Sequence, residues 1–247
     1  MATFLIVGES HTGKTQSLST LPGKTILFNF EPPDNVSSLT VPHEEAKSLQ
    51  EWWKLKKPIE RMVVVQYGLL VTKLNLTAVA SPAREKITTF IDDVNSCEAH
   101  MKEFDNFVIE TLGPLAEEVM DFIVASNGRK ERQIQDYGIG ITKLNHVLMS
   151  LMATGKNVVL TAHLQSEKDA VTGRGRITPL VWGKALPSTI PKWFSEVFCT
   201  VVNSDGKGGI KYQWLTKPEP GGFLTFLGSR RKKDLAKFVE QDFKLIL

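Results

Sequence analysis

Three features of this sequence predict an α/β fold with a mostly parallel central sheet, flanking helices and a C-terminal β-hairpin. Short apolar runs alternate with helical patterns along most of the chain. Four of the runs are nearly continuous in hydrophobic residues, as strands covered on both faces are. After residue 203 the alternation gives way to a turn-rich stretch.

Taken in order, the apolar runs predict strands at Thr3 to Val7, Lys24 to Phe30, Phe107 to Ile109, Asn157 to Ala162 and Glu196 to Val202. Ser81-Pro82 reads as a helix N-cap with proline in the first turn, introducing Ile87, Phe90, Ile91, Val94 and Met101 at helical spacing. Leu144, Val147, Leu148, Leu151 and Met152 mark a second helical face, which Gly155 closes as a C-cap. The stretch "SDGKGGIKYQWLTKPEPGGFLTFLGSRRKK" reads as turns around short strands, a hairpin at the sheet edge. Leu235, Phe238, Val239, Phe243 and Ile246 then have the spacing of a closing amphipathic helix. Residues 41–80, with Trp52 and Trp53 beside a basic cluster, carry no clear pattern and read as an insertion within one domain spanning 1–247.

With 247 residues, 42% of them apolar, the chain can bury a full core. No apolar run approaches the roughly 18 residues that would span a membrane. The chain opens without a basic, apolar, small-residue leader, so a soluble cytoplasmic protein with no membrane partner is expected. Cys97 and Cys199 lie in apolar surroundings and read as buried thiols, which argues against a disulfide framework or zinc site. The net charge of +3 conceals an asymmetry. Residues 1–125 carry 11 Lys and Arg against 17 Asp and Glu, whereas residues 126–247 carry 19 against 10. Such a basic half suits either a polyanion-binding face or a solvated surface.

The stretch Gly8-Glu9-Ser10-His11-Thr12-Gly13-Lys14-Thr15 fits G-x-x-x-x-G-K-[ST] between a strand and a helix. Here glycines let backbone N–H groups turn inward around phosphates, and the following helix aims its positive end at the same place. Gly8, Ser10, His11, Thr12, Gly13, Lys14 and Thr15 are therefore the candidate nucleotide-binding set. Lys14 supplies charge to the β- and γ-phosphates, and the Thr15 hydroxyl is a ligand for Mg²⁺. "FDNFVIETL" ends an apolar strand in Glu110, a second candidate metal ligand where aspartate is more usual; Asp105 stands at the wrong end of that strand. "FNFEPPDN" puts Glu31 just past a strand's carboxyl end, where ligands of open α/β sheets collect. It is the candidate catalytic base, with Asp34 as competitor. "NVVLTAHLQ" ends in His163 and Gln165, polar groups suited either to sensing a γ-phosphate or to structural hydrogen bonding.

These stretches in this order resemble the RecA-like ATPases, and more closely the small phage-encoded RecA-core single-strand annealing proteins. Further resemblance lies in "ITPLVWGKALPSTIPKWFSEVF" and in the basic "GSRRKK". The resemblance implies ATP and Mg²⁺ as cofactors and ATP-dependent assembly on single-stranded DNA in recombination or replication. It also implies a homo-oligomer, ring or filament, and suggests a phage single-strand binding protein as a further partner. By position, the DNA-contacting segments would be 128–142 and 166–186, the second carrying Lys168, Arg174, Arg176 and Lys184. Tyr137 and Trp182 would offer faces for base stacking. Arg230 and Arg231 would be a catalytic finger reaching a neighbouring subunit. Ring helicases and packaging motors share these parts, and so does an assembly factor that binds ATP with little hydrolysis.

Overall fold

Nearly continuous apolar runs are stable as strands only where both faces are covered, and such strands form the middle of this sheet. The computed structural model describes residues 1–55, 58–67, 87–94, 103–168, 173, 175–219, 222–232 and 234–247. In chain order these form β1 (Thr3–Val7), α1 (Lys14–Ser17), β2 (Thr25–Asn29), β3 (His43–Ala46), α2 (Leu49–Lys54), β4 (Met62–Gln66) and α3 (residues 87–94). There follow β5 (Asn106–Glu110), α4 (Leu112–Ser126), α5 (Ile134–Ala153), β6 (Asn157–Ala162), β7 (Leu164–Lys168), β8 (Gly175–Pro179) and α6 (Leu186–Thr189). The chain ends in β9 (Glu196–Ser204), β10 (Ile210–Leu215), β11 (Gly228–Ser229) and β12 (Phe238–Glu240).

Among the described residues the main sheet runs β12-β10-β9-β1-β6-β5-β2-β4-β3, with β11 added beside β9. From β9 to β3 every neighbouring pair is parallel, and β10, β11 and β12 join antiparallel. This is the mostly parallel α/β architecture the sequence predicts, with the acidic strand β5 separated from the glycine-loop strand β1 by β6 alone. All parallel strands therefore end on one side, and their carboxyl ends open onto one crevice.

Alternate residues of each strand feed two cores. Leu5 and Val7 of β1 join a cluster with Leu115, Leu144, Leu148 and Leu151 of α4 and α5 on one face. Phe4 and Ile6 face the other way, with Leu18, Trp214 and Phe243. Phe243 packs edge-on against both Phe4 and Trp214, with ring centroids 5.2 and 4.9 Å apart. At the amino ends, Asp105 accepts a hydrogen bond from the Lys24 N–H at 2.8 Å, a structural tie remote from the crevice.

The structure departs from the sequence-based expectation in four places. The closing segment is β12 followed by a single 3-10 turn at Phe243–Leu245 instead of an amphipathic helix. Val239 pairs with Trp214 along β10, whose open edge offers the backbone more partners than an isolated helical turn would. Residues 41–80 contain β3 and β4, which extend the sheet. Segment 166–186 is no irregular loop where it is described: β7 and β8 pair antiparallel, with Glu167 opposite Arg176. Segment 128–142 is helical from Ile134 onward, because Asp136 closes a capping box with Gln133. Ser81-Pro82, Met101, Cys97 and Arg174 lie outside the described residues.

Candidate active site

The turn from β1 into α1 has a conformation that few sequences tolerate. Gly13 has φ +90°, and a Cβ there would lie 2.4 Å from the Gln241 side-chain oxygen. A Cβ on Gly8 would lie 1.8 Å from the Thr200 hydroxyl. The second glycine thus provides backbone freedom, and the first provides close packing against β9. The Lys14 ammonium folds back over the loop, donating to the Gly8 and Glu9 carbonyls at 2.9 and 2.6 Å. Burial pushes its pKa below the usual lysine value, opposed by the carboxylates of Glu110, Glu31 and Glu9. Beneath the loop, burial raises the Cys199 thiol to about 12, so it stays protonated and inert.

A cavity of about 540 Å³ opens at this loop. Ser10, His11, Gly13, Lys14 and Thr15 line it from one side. Glu31, Asp34, Glu110 and His163 line it from the ends of other strands. The Thr15 hydroxyl donates to Glu110 Oε1 at 2.7 Å. Glu110 Oε2 is buried without a hydrogen-bond partner, and the Glu110–Thr111 peptide is cis. A hydroxyl and a carboxylate with a free buried oxygen suit a hard divalent cation that takes its remaining oxygens from phosphate and water. Among the described residues no group of three or more His, Cys, Asp and Glu side chains is arranged to hold a metal without a nucleotide.

Glu31 stands across the cavity. Its Oε1 lies 3.5 Å from His163 Nε2, and its Oε2 accepts from the Asn35 amide at 3.0 Å. Two residues overlooked in the sequence hold its backbone. Asn29 Oδ1 accepts from the Glu31 N–H at 3.1 Å, and the Gln66 amide donates to the Glu31 carbonyl at 2.8 Å. Asn29 also donates to Gln66 Oε1 at 2.7 Å, which couples the pair. An asparagine inside the apolar run "TILFNF" is the signal that marks it.

The other candidates lie elsewhere. Gln165 is held within the β7–β8 hairpin, donating to Glu167 at 3.1 Å. Lys168 and Lys184 are exposed, whereas Arg176 is paired with Glu167 at 2.7 Å. Tyr137 and Trp182 pack on each other with centroids 5.6 Å apart, and the Trp182 indole donates to the Ala116 carbonyl at 2.8 Å. Arg230 N–H donates to the Ser195 carbonyl at 2.8 Å, beyond the amino end of β9. Arg230 and Arg231 therefore stand at the end of the sheet opposite their own chain's crevice.

Burial pushes the Glu110 carboxyl above the ordinary glutamate range, against the hydrogen bonds from Thr15 and Thr161 and the charge of Lys14. The folded state then holds this proton to higher pH than the unfolded chain. The group's contribution to stability is complete below about 4.5 and is lost as pH rises through its folded value. Glu110→Gln is expected to flatten that decline and to raise the melting temperature of the ligand-free protein at neutral pH by a few degrees. Thermal melts of both proteins between acid and neutral pH measure it, and an unchanged pH dependence would contradict it.

The AAA domain family profile matches residues 1–223. No curated protein sequence matches the chain. Among solved structures, the chain is similar to an ATPase from the type III secretion system of pathogenic bacteria. That alignment has 13% identity and a TM-score of 0.46, covering 81% of this chain and 52% of that one, so this chain spans about half its length. It is also similar to a KaiC-like protein from the hyperthermophilic archaeon Pyrococcus horikoshii, at 13% identity and TM-score 0.42, covering 87% and 78%. Among the described residues no helix is long and apolar enough to cross a membrane.

Proposed function

The chain belongs to the AAA domain family; from that premise we propose that it is a P-loop ATPase of RecA-like fold that binds and hydrolyses ATP with Mg²⁺ while assembling on single-stranded DNA in phage recombination or replication. The observation that carries the hydrolytic part is one crevice shared by Lys14, Thr15, Glu31, Glu110 and His163, from four separate stretches of chain. The reading takes residues 1–247 as one ATPase domain, active as a homo-oligomer in the host cytoplasm, with a phage single-strand binding protein as a further partner.

In this reading the loop's backbone N–H groups bind the phosphates, and the Lys14 ammonium leaves the Gly8 and Glu9 carbonyls for phosphate oxygens. Thr15 and Glu110 are the residues that would hold Mg²⁺, which supplies charge to neutralise the oxygens of the transferred phosphoryl group. Glu31 accepts the proton of the attacking water on its carboxylate. Asn29 and Gln66 fix its backbone, and His163 steadies Oε1. Arg230 and Arg231, remote from their own crevice, would serve that of a neighbouring copy.

The DNA part rests on a mechanical link. His163 links the end of β6 at Ala162 to the start of β7 at Leu164, and Leu180 N–H donates to the His163 carbonyl at 2.7 Å. A displacement of His163 by a γ-phosphate would thus reach the hairpin bearing Lys168 and Arg176, with Lys184 just beyond; Arg174 completes the proposed DNA-binding set by sequence alone. Its test is ATPase rate against nucleic acid and salt. The rate is expected to rise several-fold with single-stranded DNA and to lose that gain steeply with salt, as phosphate contacts release counterions. No stimulation by any nucleic acid would refute the reading and favour an assembly factor. Displacement of a forked duplex would point to a ring helicase.

A further inference from the structure

The family profile ends at residue 223, yet the glycine loop is held by a residue beyond it. Gln241 directly follows β12, and its side-chain nitrogen donates to the Thr12 carbonyl at 2.9 Å and to the Gln213 carbonyl at 3.1 Å. Both partners are carbonyl oxygens, so the amide orientation is determined: only its nitrogen can face them. Gln241 is 9% exposed and anchored from both sides. Before it, Glu240 pairs with Gln213 in the sheet. After it, Phe243 N–H donates to the Thr20 hydroxyl at 2.8 Å and the ring plugs between Phe4 and Trp214.

A trans peptide points its C=O and N–H in opposite directions. Holding the Thr12 carbonyl toward Gln241 therefore aims the Gly13 N–H the other way, into the loop where a phosphate would sit. The side-chain oxygen of Gln241 meanwhile occupies the space a Cβ at residue 13 would need. We propose that Gln241 is a positioning residue of the phosphate-binding loop. It pre-sets the Gly13 N–H for a nucleotide's phosphate group and makes the C-terminal segment part of the binding site. The proposal rests on the nucleotide-binding reading above.

The test compares ADP and ATP affinity, by titration calorimetry on the full chain, with steady-state KM and kcat. Gln241→Glu keeps the shape and turns a carboxylate toward two carbonyls; Gln241→Met keeps the bulk and donates nothing. Phe104→Leu is the control, because it loosens the core before the amino end of β5 and touches neither Gln241 nor the loop. Loss of a buried donor is expected to weaken nucleotide binding and raise KM by about 10-fold or more in both Gln241 variants, with kcat within about 3-fold of wild type. Phe104→Leu is expected to lower the melting temperature while leaving affinity within about 2-fold, since it removes no group at the loop. Wild-type affinity in both Gln241 variants would overturn the proposal. Equal weakening by Phe104→Leu would overturn it too, assigning the effect to folding. Failure of the wild-type chain itself to bind nucleotide would instead remove the underlying reading.

Discussion

Lys14→Ala is expected to lower kcat/KM for ATP by about 10³-fold or more, because a buried point charge aimed at transferring phosphoryl oxygens contributes most where water is excluded. The ammonium is held between two loop carbonyls and close to three carboxylates, so the loop keeps it poised when no phosphate is present. Lys14→Arg separates charge from shape. The planar guanidinium is too wide for a site only 5% exposed, and this variant is expected to fail almost as badly despite its full charge. Calorimetric ATP binding together with steady-state turnover decides the matter. Retention of wild-type affinity in Lys14→Ala would show that phosphate binds elsewhere.

Glu31→Gln should separate binding from chemistry. The substitution preserves shape and the backbone ties to Asn29 and Gln66, so nucleotide affinity is expected to stay within about 3-fold of wild type. Turnover is expected to fall by about 10² to 10⁴, the range for loss of a positioned general base. Single-turnover hydrolysis measured beside equilibrium binding tests both halves. Asp34 lines the same cavity and provides the internal comparison. Normal hydrolysis by Glu31→Gln with a silent Asp34→Asn would remove both from the role of base. The reverse pattern, a dead Asp34→Asn, would transfer the role to Asp34.

Much of this arrangement is legible in the sequence for physical reasons. Phosphate binding needs glycines at fixed spacing, and parallel strands covered on both faces need continuous apolar runs. Hence the loop and five strands stand out, and Glu31 and Glu110 are recognisable as acidic residues at the carboxyl ends of two such runs. β4, "MVVVQ", is not legible as a strand, because the run lies among residues of mixed character within 41–80. β3, "HEEA", was not visible, because pairing with β4 makes it a strand and its own side chains show no alternation. The helical spacing of Leu235, Phe238, Val239, Phe243 and Ile246 misleads for a related reason. Phe243 and Ile246 are buried by a distant core, while Phe238 to Glu240 follow the free edge of β10. Gln241 has no local mark at all, since its partner Thr12 is 229 residues away.

The opposed ends of the sheet carry a consequence for symmetry. The crevice opens at the carboxyl ends of the parallel strands, and Arg230 and Arg231 stand at the amino end of β9, about one strand length away. A contact that brings the arginines of one copy to the crevice of another joins two unlike faces. Made head to tail, such a contact leaves each copy one face free for the next. Repetition then either closes into a ring or winds on as a helix, according to the rotation per step. A two-fold dimer would instead bring each copy's arginines to the other's crevice and stop there.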